Sequence, residues 1–393
     1  MKELLRTAVI GIGNMGTAHA ACIFSGRIRG MALTAVCDTD PARLAWAEEA
    51  LPGVPRFGDA ASLLRSGAAD AVILAVPHPL HARLAEEAMA AGLHVLSEKP
   101  LDIRVSDARK AVAAAKETGR VFAVMLNQRT NPIFRRARDI VASGALGSLK
   151  RSVWIITNWY RTQHYYDSGG WRATWQGEGG GVLLNQAPHN LDLWQWICGM
   201  PVELSARCEI AKYHHIEVED EAALFVRYAN GATGVFLTST GEYPGTNRLE
   251  ISGTRGKIVL EEGKLRYWKL REDEEEIRFS SGESFAQIPL DYSEWTPQDP
   301  PASHAGILQN FTDAVLHGET LLSPAEDGLA ELTLSNAAYL SAWEGGIPVA
   351  LPLEEERFDR LLAARQAAPA PEKKQTSPRE ISGEYSVRWQ TNW

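Results

Sequence analysis

The feature that most constrains this chain is Gly11-Ile12-Gly13-Asn14-Met15-Gly16. It follows a short apolar run, Thr7–Gly11, and opens a helical stretch that runs to about Ser25. Glycines at this spacing suit a tight strand-to-helix turn whose backbone can approach a pyrophosphate. The phosphates then sit on the free N–H groups of the helix N-terminus. Asp38 closes a second apolar run, Ala32–Cys37, at 22 positions beyond Gly16. A carboxylate there can accept hydrogen bonds from the adenosine ribose hydroxyls. It would repel a 2′-phosphate, so the constellation favours NAD over NADP, with Arg43 nearby as the one opposing charge.

The surrounding pattern agrees with that turn. Helices at Pro41–Ala50, Leu80–Ala91 and Asp107–Thr118 alternate with apolar runs at Ala71–Val76, His94–Leu96 and Val121–Leu126. Continuous apolar strands separated by helices indicate a parallel sheet covered on both faces. Ligands of such sheets bind outside the carboxyl ends of the strands. Two segments lie there: Pro77, His78 and His81 after the third run, and Glu98-Lys99-Pro100 after the fourth. The proline keeps Lys99 on a stiffened turn rather than in a helix. The first domain is therefore expected over 1–126.

From about Asn127 the character changes. After a helix at Ile133–Ser143, segments alternate at period two. They are Lys150–Thr157, Val202–Ile210, Ala222–Tyr228, Gly234–Thr240, Asn247–Ser252 and Lys257–Glu261. They predict a large, open, mainly antiparallel sheet, interrupted by one amphipathic helix over Gly181–Gly199. Glu272–Glu276 reads as a solvated strand or loop edge. Helices follow at His304–His317, Pro324–Glu344 and Leu353–Ala367. The fold class is thus α/β: an N-terminal Rossmann domain plus an α/β domain over 127–367. Its late helices are candidates to pack back on the first. Residues 368–393 read as a linker and an aromatic tail.

The net charge of −9 argues against gripping a nucleic-acid backbone. The apolar run Ala71–Val76 falls far short of the roughly 20 residues that span a bilayer. Met1–Arg6 lacks the apolar core of a signal peptide. Cys22, Cys37, Cys198 and Cys208 form no C-x-x-C pair and lie in or beside apolar segments. Reduced, buried thiols and a cytoplasmic location are the expectation. His78 with His81, and His214 and His215 with Glu217 and Glu219, show no recognised zinc spacing, so no metal is expected.

Tryptophan is in excess: 12, against 10 Tyr and 10 Phe. The segment from Asn158 to Trp175 concentrates it. Trp159, Tyr160, Arg161, Tyr165, Trp171, Arg172 and Trp175 fall there without a clean helical or strand period. Aromatic faces cover apolar faces of sugar rings while Arg, Asn and Gln meet hydroxyls, so the stretch is expected to be a substrate loop. Trp154 and Trp194 lie near it. The chain ends Arg388-Trp389-Gln390-Thr391-Asn392-Trp393. A tail so rich in Trp is expected to dock, on its own chain or on a neighbour.

Three motifs in order carry a resemblance. They are the glycine turn with His19 behind it, the Glu98-Lys99-Pro100 triplet, and Gly179-Gly180-Gly181 leading to Asn185, His189 and Asp192. From about residue 6 to about 345 the chain resembles the Gfo/Idh/MocA oxidoreductases. That resemblance implies an NAD-binding Rossmann domain, a second domain with an open sheet, and hydride transfer at a secondary alcohol of a sugar, inositol or related polyol. It places Lys99 and His189 at the catalytic positions. Histidine suits the proton transfer near neutral pH, and an ammonium stabilises a developing alkoxide.

Where the family usually has Asp four residues before the histidine, this chain has Asn185, which cannot stabilise imidazolium by charge. Asn185 joins the catalytic group with Lys99 and His189, and both Asn185 and His189 count among the substrate residues. Asp192 reads as a packing residue. The substrate class is a carbohydrate or cyclitol, with ring C3 of a glycoside as one candidate position. Two alternatives stand beside a dehydrogenase: an NAD-dependent glycosidase using transient oxidation and elimination, and a non-enzymatic NAD-binding sensor. The open sheet implies a homo-dimer or homo-tetramer.

Overall fold

The computed structural model describes residues 4–369 and Tyr385. The tail residues Trp389 and Trp393, and the proposed linker from 370 onward, lie outside the described residues.

The first sheet holds six parallel strands in the order β3-β2-β1-β4-β5-β6. They are β1 (Leu5–Ile10), β2 (Met31–Cys37), β3 (Arg56–Phe57), β4 (Ala71–Leu74), β5 (His94–Ser97) and β6 (Phe122–Val124). The helices of this half are α1 (Asn14–Phe24), α2 (Pro41–Ala50), α3 (Ala60–Arg65), α4 (His81–Ala90) and α5 (Val105–Thr118). β4 is buried along its whole length, which is why it reads as an unbroken apolar run. The order reverses between β1 and β4, and the glycine turn lies at that switch point.

The second half opens with α6 (Pro132–Ala142) and β7 (Leu149–Ile156). The short α7 (Gln163–Asp167) falls inside the aromatic stretch. Then come α8 (Val182–Asn185), α9 (Pro188–Cys198), β8 (Glu203–Ile210), β9 (Glu219–Arg227), β10 (Thr233–Ser239), β11 (Asn247–Gly253) and β12 (Gly256–Glu261). β13 (Lys264–Leu270), α10 (Glu274–Ser280), β14 (Leu290–Trp295), α11 (Ser303–His317), α12 (Ala325–Trp343), β15 (Val349–Ala350) and α13 (Glu355–Gln366) follow. The nine-stranded sheet runs β14-β13-β12-β11-β7-β10-β9-β8-β15. Its pairs are antiparallel except β7 with β10.

Two expectations are corrected here. The acidic run at 272–276 is no strand edge: Asp273 caps α10 by accepting from Glu275 N, and three glutamates occupy its first turn. Carboxylates are favourable there because the helix dipole is positive at that end. The expected helix over 181–199 is broken. Pro188 lacks an N–H and cannot continue a helix from Asn185, so it starts α9 instead. Asn185 and His189 therefore do not share one helix face.

One face of the large sheet is covered by α9 and α12. Trp154 and Trp194 belong to that core. They pack on Phe236 with centroids 6.1 and 5.5 Å apart, and Trp194 donates to Ser152 Oγ at 3.0 Å. These two tryptophans are hydrophobic fill and no part of a substrate wall. α11 returns to the first sheet, where Ile307, Leu308 and Phe311 join its core.

Among the described residues no helix is long and apolar enough to cross a membrane. All four cysteines are free thiols, and Cys208 is only half-buried.

Candidate active site

The glycine turn is built by crowding. A Cβ on Gly16 would sit 1.8 Å from Gly11 O, and one on Gly11, at φ +85°, would sit 2.6 Å from Ala75 O. Above Gly13 there is open space. Gly13 caps α1 without any side-chain hydrogen bond, so the first turn, Asn14 and Met15 included, keeps its N–H groups for a ligand. Asp38 flanks the turn, accepting from Ile12 N at 2.8 Å and Asp40 N at 2.9 Å. These residues fit a dinucleotide: a cradle only glycine allows, a helix N-terminus without a side-chain cap, and a carboxylate beside it.

The strand ends of β4 and β5 meet next to this turn. Pro77 precedes His78, whose Nδ1 donates to Glu178 O at 3.0 Å. His81 places Nδ1 2.6 Å from Pro100 O and Nε2 2.9 Å from Val76 O, bracing the two strand ends. Glu98 is buried against His19, with Oε1 2.8 Å from Nε2, and its other oxygen accepts from Lys99 N at 3.2 Å. Burial alone would raise this carboxyl. The hydrogen bond and charge of His19, with His304 and Lys99, outweigh it and bring Glu98 down to about 2.

Lys99 is buried, and its Nζ donates to Asn185 O at 2.8 Å. Burial lowers its pKa while Glu98, Tyr165, Glu331 and Glu178 oppose the shift. His189 is buried too. Burial and then the Lys99 charge hold its pKa well below 6.5, so the imidazole is neutral at ordinary pH. A neutral imidazole beside an ammonium is competent to take a proton from a hydroxyl whose oxygen the ammonium stabilises.

The aromatic stretch divides. Trp171 packs edge-on against His78 at 5.6 Å. The Arg172 guanidinium lies over the Trp171 ring at 4.6 Å and the Tyr165 ring at 4.7 Å, and donates to Tyr165 Oη at 2.9 Å. Tyr165 Oη is also 3.5 Å from Asn185 Oδ1 and accepts from Gln186 Nε2 at 3.2 Å. Arg161 lies over the Tyr165 ring at 5.0 Å. Trp159 is buried in the core, and the exposed Tyr160 packs on Tyr243. Trp175 goes elsewhere: it is buried against Tyr339 and Trp343, with centroids at 5.6 and 5.4 Å. The structure thus moves Trp175 from the substrate loop to the core, where Tyr339 and Trp343 of α12 supply its apolar surface.

Asp192 is a packing residue. It pairs with the buried Arg129, Oδ1 to Nη2 at 2.5 Å. The residue that the sequence did not single out is Glu178. It is buried, accepts from Ala173 N at 2.5 Å, and accepts from Asn185 Nδ2. Its one sequence signal is its place directly before Gly179-Gly180-Gly181. There the chain is pressed so tightly that a Cβ on Gly181 would sit 1.9 Å from Glu219 O.

The comparisons with known proteins meet this geometry. Residues 5–126 match the oxidoreductase family with an NAD-binding Rossmann fold, and residues 134–259 match the GFO/IDH/MocA C-terminal domain. The chain belongs to the Gfo/Idh/MocA oxidoreductases. It is 32% identical to the inositol 2-dehydrogenase of Rubrobacter xylanophilus, over 87% of this chain and 92% of that protein. It is 25% identical to the scyllo-inositol 2-dehydrogenase (NAD(+)) of Bacillus subtilis, over 90% of this chain and 98% of that one. Among solved structures it is similar to the WlbA dehydrogenase of Bordetella pertussis in complex with NADH and UDP-GlcNAcA. That likeness has a TM-score of 0.74 and 27% identity, and covers 89% of this chain and all of that one. This family member is an NAD-dependent oxidoreductase.

Proposed function

We propose that the chain oxidises, or in reverse forms, a secondary alcohol on a sugar, glycoside or cyclitol. Ring C3 of a glycoside is the preferred position. One observation carries the reading: buried Lys99 holds the Asn185 carbonyl and its charge acts on the buried, neutral His189, while Tyr165, stacked with Arg172 and Trp171, lies against the same Asn185. The relatives act on or bind polyols and sugar derivatives by name, which supports the class. NAD, when bound, would supply the acceptor for the hydride of the carbinol carbon. His189 takes the hydroxyl proton, and Lys99 holds the oxygen as its charge grows. Gly11, Gly13, Asn14, Met15 and Gly16 would hold the pyrophosphate, with Asp38 at the ribose and Pro77, His78, His81 and Glu98 framing the nicotinamide end.

The aromatic rings favour a substrate with an apolar ring face, and Arg172 favours one with several hydroxyls or an acidic group. The test is NADH formation with a panel of glycosides, free sugars and cyclitols, with NADP run in parallel. Steady accumulation of NADH separates a dehydrogenase from a glycosidase that returns its own hydride. Lys99→Ala and His189→Ala are each expected to lower kcat by at least about 100-fold while NADH still binds. Near-normal turnover in either variant would refute the assignment.

A further inference from the structure

Asn185 leaves the Lys99–His189 pair without a carboxylate on its own turn, yet it is not without a negative partner. Its side-chain amide donates to Glu178 Oε1, and its backbone carbonyl accepts from Lys99 Nζ at 2.8 Å. The other oxygen of Glu178 accepts from Ala173 N at 2.5 Å, and its carbonyl accepts from His78 Nδ1 at 3.0 Å. One buried residue therefore ties together the aromatic loop, the end of β4 and the turn that carries Lys99's acceptor. Glu98, also next to Lys99, is committed to His19, and Glu331 is bonded to Ser335.

We propose that Glu178 is a positioning residue for Lys99 and supplies, through Asn185, the carboxylate that the turn itself lacks. Burial raises the Glu178 pKa and the charges of Arg172 and Lys99 oppose that shift, so carboxylate and cations balance one another where solvent cannot. It also fixes which way the Asn185 amide faces: Nδ2 toward Glu178, Oδ1 toward Tyr165 Oη. The kinetic part of the proposal rests on the dehydrogenase reading; the pairing part does not.

The chemistry allows the two groups to be exchanged. In Glu178→Gln with Asn185 unchanged, the carboxylate is gone and two amides meet. In Asn185→Asp alone, two carboxylates meet in a buried place and repel. The double variant, Glu178→Gln with Asn185→Asp, moves the carboxylate to the other end of the pair. The glutamine amide introduced at 178 then donates to the aspartate introduced at 185, and its oxygen still serves Ala173 N. The pair is restored with its ends reversed.

The experiment measures the three variants for kcat, KM, NADH affinity and melting temperature. Each single variant is expected to lose about 100-fold in kcat with NADH affinity kept within about threefold, and the double variant to regain about tenfold. Each single variant is also expected to melt below the wild type, and the double variant above both. A Glu178→Gln enzyme within about threefold of wild-type kcat overturns the positioning role. Additive losses of melting temperature overturn the pairing, and that readout needs no turnover at all. Absence of wild-type turnover with every polyol would instead count against the dehydrogenase reading.

Discussion

At the scale of single residues, function here depends on groups that burial has pushed off their ordinary protonation or packing. Gly16 is the sharpest case of packing. Its missing Cβ is what lets α1 start under the Gly11 carbonyl, with only 1.8 Å to spare for any substituent. Gly16→Ala must move that carbonyl or the helix start, and either spoils the row of N–H groups. The expected outcome is at least about a 100-fold loss of NADH affinity, read by quenching of protein fluorescence, alongside a lower melting temperature. Unchanged affinity would mean that the turn does not carry the cofactor. The glycine turn and Asp38 were legible because each answers a local backbone demand at fixed spacing. Glu178 was not, because its partners, Ala173 N, Asn185 and His78, converge only after the chain has folded over β4. A lone Glu in a sequence carries no mark of burial.

Elements place those residues, and the start of α8 shows how. Gly181 N and Leu183 N donate to Glu219 on β9 at 3.0 and 2.9 Å, and Tyr339 Oη lies 2.7 Å from the same carboxyl. A carboxyl reached from the neighbouring sheet thus takes the place of an N-cap. Burial raises its pKa from 4.5 to about 7, against those hydrogen bonds. The sign follows. A folded pKa above the unfolded value stabilises the fold fully below pH 4.5, and that contribution is lost as pH rises to about 7. Its size is about 3 kcal/mol for a shift of this extent. Denaturant melts from pH 4.5 to 7 should therefore show the stability gap between wild type and Glu219→Gln shrinking or reversing as pH rises. A gap independent of pH would show that Glu219 is ionised throughout. The strands and helices of both domains were largely legible from period and apolar runs. The break at Pro188 is hidden in the sequence, since the apolar pattern continues across it while the backbone hydrogen bonds do not. β13 and β14 were missed as well: β14 is an exposed edge strand with almost no buried side to mark it.

At the scale of the whole molecule, two surfaces matter. The first is a face of the large sheet left open among the described residues, where Val235 lies between Phe225 and Val153, and Leu237 between Ala223 and Ile155. Phe225 is 50% exposed. A second copy of the chain is the proposed cover, and Phe225→Glu should shift sedimentation toward the monomer; an unshifted boundary removes this face as the interface. The second is Tyr385, far along the chain from everything it touches. Its ring stacks on His304 at 4.4 Å and meets His19 edge-on at 5.5 Å. Its hydroxyl lies 2.7 Å from His19 Nδ1, while His19 Nε2 holds Glu98 at 2.8 Å. Because Glu98 is ionised, His19 donates to it from Nε2, and the Tyr385 hydroxyl holds the other ring nitrogen. Tyr385 thus fixes the orientation of the ring that binds the carboxylate next to Lys99. Tyr385→Phe keeps the stack and removes the hydroxyl, at a cost of about 1 kcal/mol. Ending the chain before Tyr385 removes both, and should lower the melting temperature further and kcat with it. A chain ending at residue 384 with wild-type melting and wild-type turnover would show that this contact is idle.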